Sequence, residues 1–442
     1  MIKNYLTLAL KVLRRKPFYT FVSLFGISFT LMILMLITSM GDAMFGANPP
    51  MTDVNKMVFL PQAERILQFY DTTYVVDSVR MDDGRMRYDS TANVREGGMN
   101  NSTGNLAFHF LDQTLRGLDR VASYTFYSND GFVDAYLDGR KLTMSTCYTD
   151  ADYWEVFDFD FLYGQPFTAD AVAGADKVVV ITEVVAREYF GEVTADVIGR
   201  EIALGRERFT VAGIVARPYK DDDSINGDVF MPYTTIDNRK LQSDNISGPF
   251  NAVFKAEDKA HTAGIIDEIH FIAETYDMSG DEDYEILKLT AATATEKMAA
   301  EIMQEDDLRQ AKLLLFIPLI TLLTLFVALP LINLINLSVS RVYERRSEIA
   351  VRKAFGADSR SILYQFLFEN MVLTVIGGLI GLALALLLIR YINANDLLGI
   401  VRLAFSARVF VYFLLLIAVF GLLSGLLPAL RMSRTNVADA LR

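Results

Sequence analysis

Four stretches of this chain run for 20 residues or more without a charged side chain, and no other feature limits its possible folds so tightly. They are 17–41, 313–340, 370–389 and 409–430. Crossing about 30 Å of hydrocarbon takes about 20 apolar residues in a helix, so each run is long enough to span a membrane. Pro318 and Pro330 lie inside the second run and glycines punctuate the others. Such breakers weaken a soluble helix but are tolerated in membrane spans, where neighbouring helices satisfy the freed backbone groups. The first run, preceded by Lys11, Arg14, Arg15 and Lys16, also has the positive flank of a secretory leader. Its apolar part exceeds a leader's by roughly ten residues and no small-x-small cleavage site follows, so it reads as a span.

Charge is divided along the chain in a way that assigns sides. The total is −12, yet Met1–Met40 holds five Lys/Arg and no acid, while Gly41–Gln310 holds 24 Lys/Arg against 48 Asp/Glu. Lys and Arg concentrate in cytoplasmic flanks. The N-terminal flank and the Arg341–Arg360 loop are rich in them, and the tail adds Arg431, Arg434 and Arg442. The expected topology puts both termini and the Arg341 loop inside, with the acidic block and the 391–408 loop outside. The fold class that follows is a four-helix membrane bundle with a large α+β extracytoplasmic domain between the first and second helices.

That acidic block, 41–310, has room for a substantial folded domain. KVVVI at Lys177–Ile181 reads as a buried strand, and the next segment places Val184, Val185, Tyr189 and Phe190 at helical spacing before Gly191. EIAL, Gly205 and RFTVAGIVA predict a hairpin; DVFMPYTTI and FNAVFKA predict strands, and the stretch from His261 a helix. Arg87–Asn105, rich in Asn, Ser, Thr and Gly, reads as a mobile loop or insertion. Aromatics crowd Tyr124–Tyr163 around Trp154, as they would in a core.

Chemistry-bearing motifs are scarce. Cys147 is the only cysteine, which excludes an intrachain disulfide, and His109, His261 and His270 have no i, i+4 ligand spacing. Asp221–Asp228 resembles the start of a calcium loop, but Tyr233 stands where its closing Glu would be, so a solvated turn is the better reading. No phosphate loop, nucleophile elbow or zinc-protease motif occurs in the sequence. The spans lack the acids of an ion-coupled carrier. Glu369, at the start of the third, reads as an interfacial side chain.

The richest segment is RVYERRSEIAVRKAFGADSRSILYQFLFEN, Arg341–Asn370. As a helix it sets Val342, Ile349, Ala350 and Phe355 against a face holding Glu344, Arg345, Arg346, Glu348, Arg352 and Lys353, with Gly356 as its stop. By pattern alone it fits a basic membrane-surface helix equally well.

ERRSEIAVRKAFGA resembles the E-R-x-x-E-I-x-[IV]-R-[KR]-A-[LF]-G-A motif of the MacB/FtsX-like ABC transporter permeases, also called type VII or mechanotransmitting. GGLIGLALA in the third span, Pro428–Arg431 with Ala440–Arg442, and LRRKPFYTFVSLFGI before the first span are similar to other parts of that family. The outer segments Tyr153–Phe167, VVVITEVVAREYFG, DVIGREI and FTVAGIV follow the order of its MacB-like periplasmic core, whereas Gly41–Asp150 matches weakly.

The resemblance implies a permease subunit of the bacterial inner membrane that is not itself an enzyme. No cofactor is expected in this chain; ATP and Mg would be bound by a separate cytoplasmic ATPase. That subunit would dock on Glu344, Arg345, Arg346, Glu348, Ile349, Arg352, Lys353, Phe355 and Gly356. A second permease, as a homodimer or heterodimer, and an envelope protein, lipid or peptide on the outer domain are the other implied partners. With 17 residues before the first span, no fused ATPase precedes it on this reading. The expected segments are an inner N-terminus (1–17), spans at 18–40, 311–340, 362–390 and 409–430, the outer domain (41–310), the coupling loop (341–361), the outer loop (391–408) and the tail (431–442). The FtsX-like permease region would cover about 313–436. Gly377 with Gly381, and Gly421 with Gly425, form two G-x-x-x-G pairs, equally suited to packing within one bundle and to a contact between permeases.

Overall fold

The computed structural model describes residues 17–419 and 422, apart from 82–84, 130, 138, 219–224, 237–240, 243–244, 282, 345–350, 352–354, 356–358, 399–401, 404 and 406–407. The chain separates into two compact units, one holding the apolar helices and the other running from Ala47 to Leu308 apart from 219–221.

The helical unit begins with α1 (Pro17–Phe45). The mixed unit follows it. Its chain order is β1 (Met57–Leu60), β2 (Ala63–Arg80), β3 (Met86–Gly104), α2 (Phe108–Thr114), β4 (Val121–Tyr127), β5 (Phe132–Leu137), β6 (Arg140–Thr149), α3 (Tyr153–Val156) and β7 (Phe161–Gly164). Then come β8 (Val178–Thr182), β9 (Glu201–Leu204), β10 (Glu207–Val215), β11 (Val229–Pro232), β12 (Asn251–Ala256), α4 (Thr262–Thr275), β13 (Ile286–Leu289), β14 (Ala292–Thr293) and α5 (Ala294–Met303). The helical unit resumes with α6 (Leu308–Glu344), α7 (Ser359–Ala394) and α8 (Arg408–Val419).

Three sheets build the mixed unit. One has the order β14-β1-β12-β4, and a second runs β5-β6-β11-β8-β10-β7 with β9 also on β10. β10 is long enough to pair β9 with its first half and β7 with its second. Gly205 N–H, in the β9–β10 turn, donates to the Asp134 carbonyl on β5 at 2.8 Å, so the ends of the second sheet approach each other. The space they enclose is filled by Val179, Ile181, Ile202, Phe209, Val211 and Met231. A second core lies between the two sheets, where Phe59, Tyr127 and Val253 meet Cys147, Val180 and Phe230. Burial there pushes the Cys147 thiol up to about 12, so it stays protonated at neutral pH. A third core packs the first sheet against α2 and α4, through Phe110, Leu111, Ile265 and Ile269.

Local chemistry explains several boundaries. Thr182 caps the helical turns after β8 by accepting from Val185 N–H at 3.4 Å, and Gly191 ends them at φ 78, a value that favours glycine. Thr293 and Glu296 form a reciprocal capping box at the start of α5. Trp154, expected in a core, meets Phe159, Phe161, Phe167 and Phe230 edge-on. Phe132 and Tyr136, in the same aromatic-rich stretch, are instead exposed.

The stretch expected as a loop, Arg87–Asn105, is the main correction. Met86–Gly104 is a strand that pairs with Ala63–Arg80 along its whole length, with one bulge between Phe69 and Tyr70. β13 joins only at Ala63–Ile66, so the rest is a two-stranded ribbon. At about 3.3 Å per residue, its 14 residues from Leu67 to Arg80 extend roughly 45 Å. Among the described side chains, buried residues stop at Ile66 and resume at Leu106. Cross-strand hydrogen bonds, which composition does not report, are what make the segment regular. Replacing Tyr70–Gly97 by Asn-Gly should therefore leave the rest of the protein folded. Thermal unfolding of the detergent-solubilised chain would check this: a shift below about 3 °C is expected, and one above about 10 °C would show that the ribbon supports the core.

Candidate functional site

Three described helices are long and apolar enough to cross a membrane: the windows are Thr20–Phe45, Leu308–Phe326 and Leu367–Ala394. α8 is shorter as described, and most of the expected fourth span beyond Val419 lies outside the described residues. Each long helix overruns its expected span, α1 reaching Phe45, α6 Glu344 and α7 Ser359–Ala394, because helix geometry continues past the uncharged run.

Of the expected coupling residues, Glu344 closes α6. Arg345, Arg346, Glu348, Ile349, Arg352, Lys353 and Gly356 lie outside the described residues. Phe355 is described: its N–H donates to the Val351 carbonyl at 3.0 Å, a single helical turn. Its side chain is 89% exposed and that of Val351 is 48% exposed. An aliphatic and an aromatic side chain one turn apart thus stand uncovered between α6 and α7. Phe355 is among the expected coupling residues; Val351, at i, i+4 spacing from it, is not.

Glycine fixes the packing of α7 in the bundle. A Cβ built on Gly377 would lie 2.6 Å from Ile27 Cγ2, and one on Gly378 would lie 2.6 Å from Ile417 Cδ1. On Gly381 it would meet the Ser28 carbonyl oxygen at 2.7 Å. The two long helices α1 and α7 therefore touch closely, with Leu31, Leu34, Leu373 and Phe413 buried around the contact. Gly377 and Gly381 face α1 of their own chain, and Gly378, which sequence reasoning missed, faces α8. Gly421 and Gly425 lie outside the described residues.

Polar contacts fasten other parts of the bundle. Arg408 Nη1 reaches Asp42 Oδ1 at 2.8 Å, joining the ends of α8 and α1, and the Asp42 side chain is only 5% exposed. The Asn393 side chain both donates to and accepts from the Leu403 backbone, at 2.8 and 3.1 Å. Glu369, expected at the interface, is buried on α7, which starts three turns earlier at Ser359. Among the described residues no group of three or more His, Cys, Asp and Glu could hold a metal ion.

Long apolar helices with an appended α+β unit define a membrane protein of the permease type. Two family models match: the MacB-like periplasmic core domain over residues 20–270 and the FtsX-like permease C-terminal region over 320–437. The chain belongs to the MacB/FtsX-like family of ABC transporter permeases, membrane proteins with an extracytoplasmic domain. It is 28% identical over 300 residues to the macrolide export ATP-binding/permease protein MacB of Acinetobacter baylyi, covering 66% of this chain and 41% of that one. The pyoverdine export ATP-binding/permease protein PvdT of Pseudomonas aeruginosa is 30% identical over 292 residues, with the same coverage. This chain thus spans less than half the length of either relative. The crystal structure of the periplasmic region of MacB from Actinobacillus actinomycetemcomitans aligns at TM-score 0.33 and 17% identity, covering 45% of this chain and 84% of that one.

The glycine contacts yield a graded expectation. Gly381→Val drives a branched side chain against backbone and should destabilise the bundle by about 1 to 3 kcal/mol. Gly377→Ala adds one methyl against Ile27, 2.6 Å from its Cγ2 and 2.9 Å from its Cβ, and should cost less than the larger branched side chain at Gly381. Gly26→Ala, with nothing within 4 Å, should be neutral. Thermal inactivation in detergent would rank them; equal behaviour of Gly381→Val and Gly26→Ala would refute the contact.

Proposed function

We propose that this chain is the permease subunit of an ABC transporter, coupling ATP hydrolysis by a separate cytoplasmic ATPase to motion of its extracytoplasmic domain. The work done would be export, efflux or lipoprotein extraction. The observation that carries the reading is the uncovered pair Val351 and Phe355, on the segment where the family motif falls. Exposed apolar side chains of this kind are the usual anchors of a helix in a partner's groove. Arg345, Arg346, Arg352 and Lys353 would ring the contact and steer association more than they hold it. Glu348, one turn before Arg352, would pair with it and steady the helix.

The membrane arrangement belongs to the same proposal. It comprises four spans in the bacterial inner membrane, both termini cytoplasmic, the mixed unit outside between the first two spans, and two permeases per complex. Lys/Arg counts support this orientation. ATP and Mg would be held by the partner. A second reading, a non-transporting regulator of a cell-envelope partner such as a peptidoglycan hydrolase, draws support from the ribbon of β2 and β3. An element that long, whose described side chains beyond Ile66 are not buried, is suited to reaching another protein.

Phe355→Ala should weaken binding of the ATPase about thirtyfold, the equivalent of about 2 kcal/mol, and lower its stimulated hydrolysis. Arg345→Glu with Arg346→Glu should slow association and make it less sensitive to salt. Pull-down and stimulated hydrolysis measure both. Unchanged values in both variants would make the segment a membrane-surface element, and cargo movement in reconstituted vesicles would separate transporter from regulator.

A further inference from the structure

The outer edge of β4 is completed by a side chain. Along a free edge, alternate N–H groups need acceptors from outside the sheet. Ser128 N–H finds the Tyr148 carbonyl at 2.8 Å, and the reciprocal bond measures 2.7 Å. Two residues earlier, Phe126 N–H donates to Asp150 Oδ2 at 3.1 Å. The Thr125 hydroxyl donates to Asp150 Oδ1 at 2.7 Å, and Tyr153 N–H to the same oxygen at 2.9 Å. One carboxylate just past β6 therefore ties together β4 of the first sheet, β6 of the second and the start of α3.

We propose that Asp150 is a proton-sensitive fastener that holds the junction of the two sheets more firmly when the outer medium is acidic. Packing around the carboxyl withdraws water from it and raises its pKa from 3.8 to about 6, against the pull of its hydrogen-bond donors. Asp152 on the same turn adds to the rise. The other groups acting around it are Cys147 on β6, Tyr124 on β4 and Tyr233 after β11, with Asp112 of α2 and Arg116 just after it acting on the two tyrosines.

The direction follows from linkage. If the junction opens, Asp150 returns to water and titrates near 3.8; closed, it titrates near 6. The closed form therefore binds a proton more tightly, and acid favours it. Above about pH 6 the closed form carries a poorly hydrated charge, and opening is easier by about a hundredfold than below about pH 3.8, about tenfold of that change falling above about pH 5. Protonation need not break the network, because the Thr125 hydroxyl can turn from donor to acceptor. The consequence for motion of the outer domain rests on the function proposed above; the fastener itself does not.

Hydrogen exchange of the full-length protein in detergent, corrected for intrinsic rates, tests this between about pH 5 and about pH 8. Protection of 121–127 and 150–157 should fall about tenfold as pH rises from about 5 to about 8, and Asp150→Asn should abolish the step. Thr125→Val, which removes a donor to the carboxylate, should move the midpoint up, and Asp152→Asn, which removes a like charge, should move it down. A wild-type profile without a step, or a step that survives in Asp150→Asn, overturns the proposal. Should Asp150→Asn not fold, a midpoint unmoved by the other two variants overturns it equally. Because no ATPase takes part, a failure here leaves the proposed coupling untouched, and the converse also holds.

Discussion

Everything in the mixed unit depends on β1, the four-residue strand Met57–Leu60, pairing with both β12 and β14. β1 begins twelve residues after α1 ends, and β14 leads through α5 toward α6. Val58 faces Thr293 and Phe59 faces Ala292, so the start and the end of a long excursion are hydrogen-bonded neighbours. All four residues of β1 are buried, which makes the pairing costly to disturb. Lys297 of α5 reinforces it, with its ammonium 5.4 Å from the Phe59 ring and 2.7 Å from Glu301. A domain with its ends clamped in this way can move as one piece.

The bundle is organised on a different principle. Lipid offers no hydrophobic force to bring helices together, so close backbone approach has to hold them. Gly377, Gly378 and Gly381 provide that approach, and their neighbours are helices of the same chain. This face is therefore occupied within the chain. Among the described residues, Phe21, Phe25 and Phe29 form an exposed ridge on α1, whose rings stack at 6.2 and 5.9 Å.

Much of this was legible in the sequence wherever the signal was local. The strand at 178–182, the helical turns stopped by Gly191, the β9–β10 hairpin and α4 with its buried Ile265, Ile269 and Ala273 all carried their pattern in a short window. The ribbon did not, because exposed positions have no need to alternate: among its described side chains Thr91, Ala92, Asn93, Met99 and Asn100 are all exposed on consecutive positions. Gly377 and Gly381 announced a close contact, but spacing within one helix cannot name the partner. Asp150 gave no signal at all. Its partners Thr125 and Phe126 are more than twenty residues away, and a lone aspartate before a short helix looks like any turn residue.

Over its described stretch Leu308–Phe326, α6 is less buried than the other long helices. α1, α7 and α8 share the buried contact of Leu31, Leu373 and Phe413, whereas α6 exposes Leu313, Leu314, Ile317, Ile320, Leu322 and Leu325. It touches its neighbours at Phe316, whose ring lies 5.4 Å from Phe45, and at Leu323. α6 is also the helix that joins the segment of Val351 and Phe355 to α5 and β14 along the chain. Its Pro318 and Pro330 each remove a backbone hydrogen bond, yet the helix stays continuous across both. On the coupling proposed above, a pull at Phe355 would meet little apolar packing over the described stretch Leu308–Phe326 of α6. The tightly packed helices would stay in place while the loosely packed one carried the displacement toward the clamp at β1 and β14.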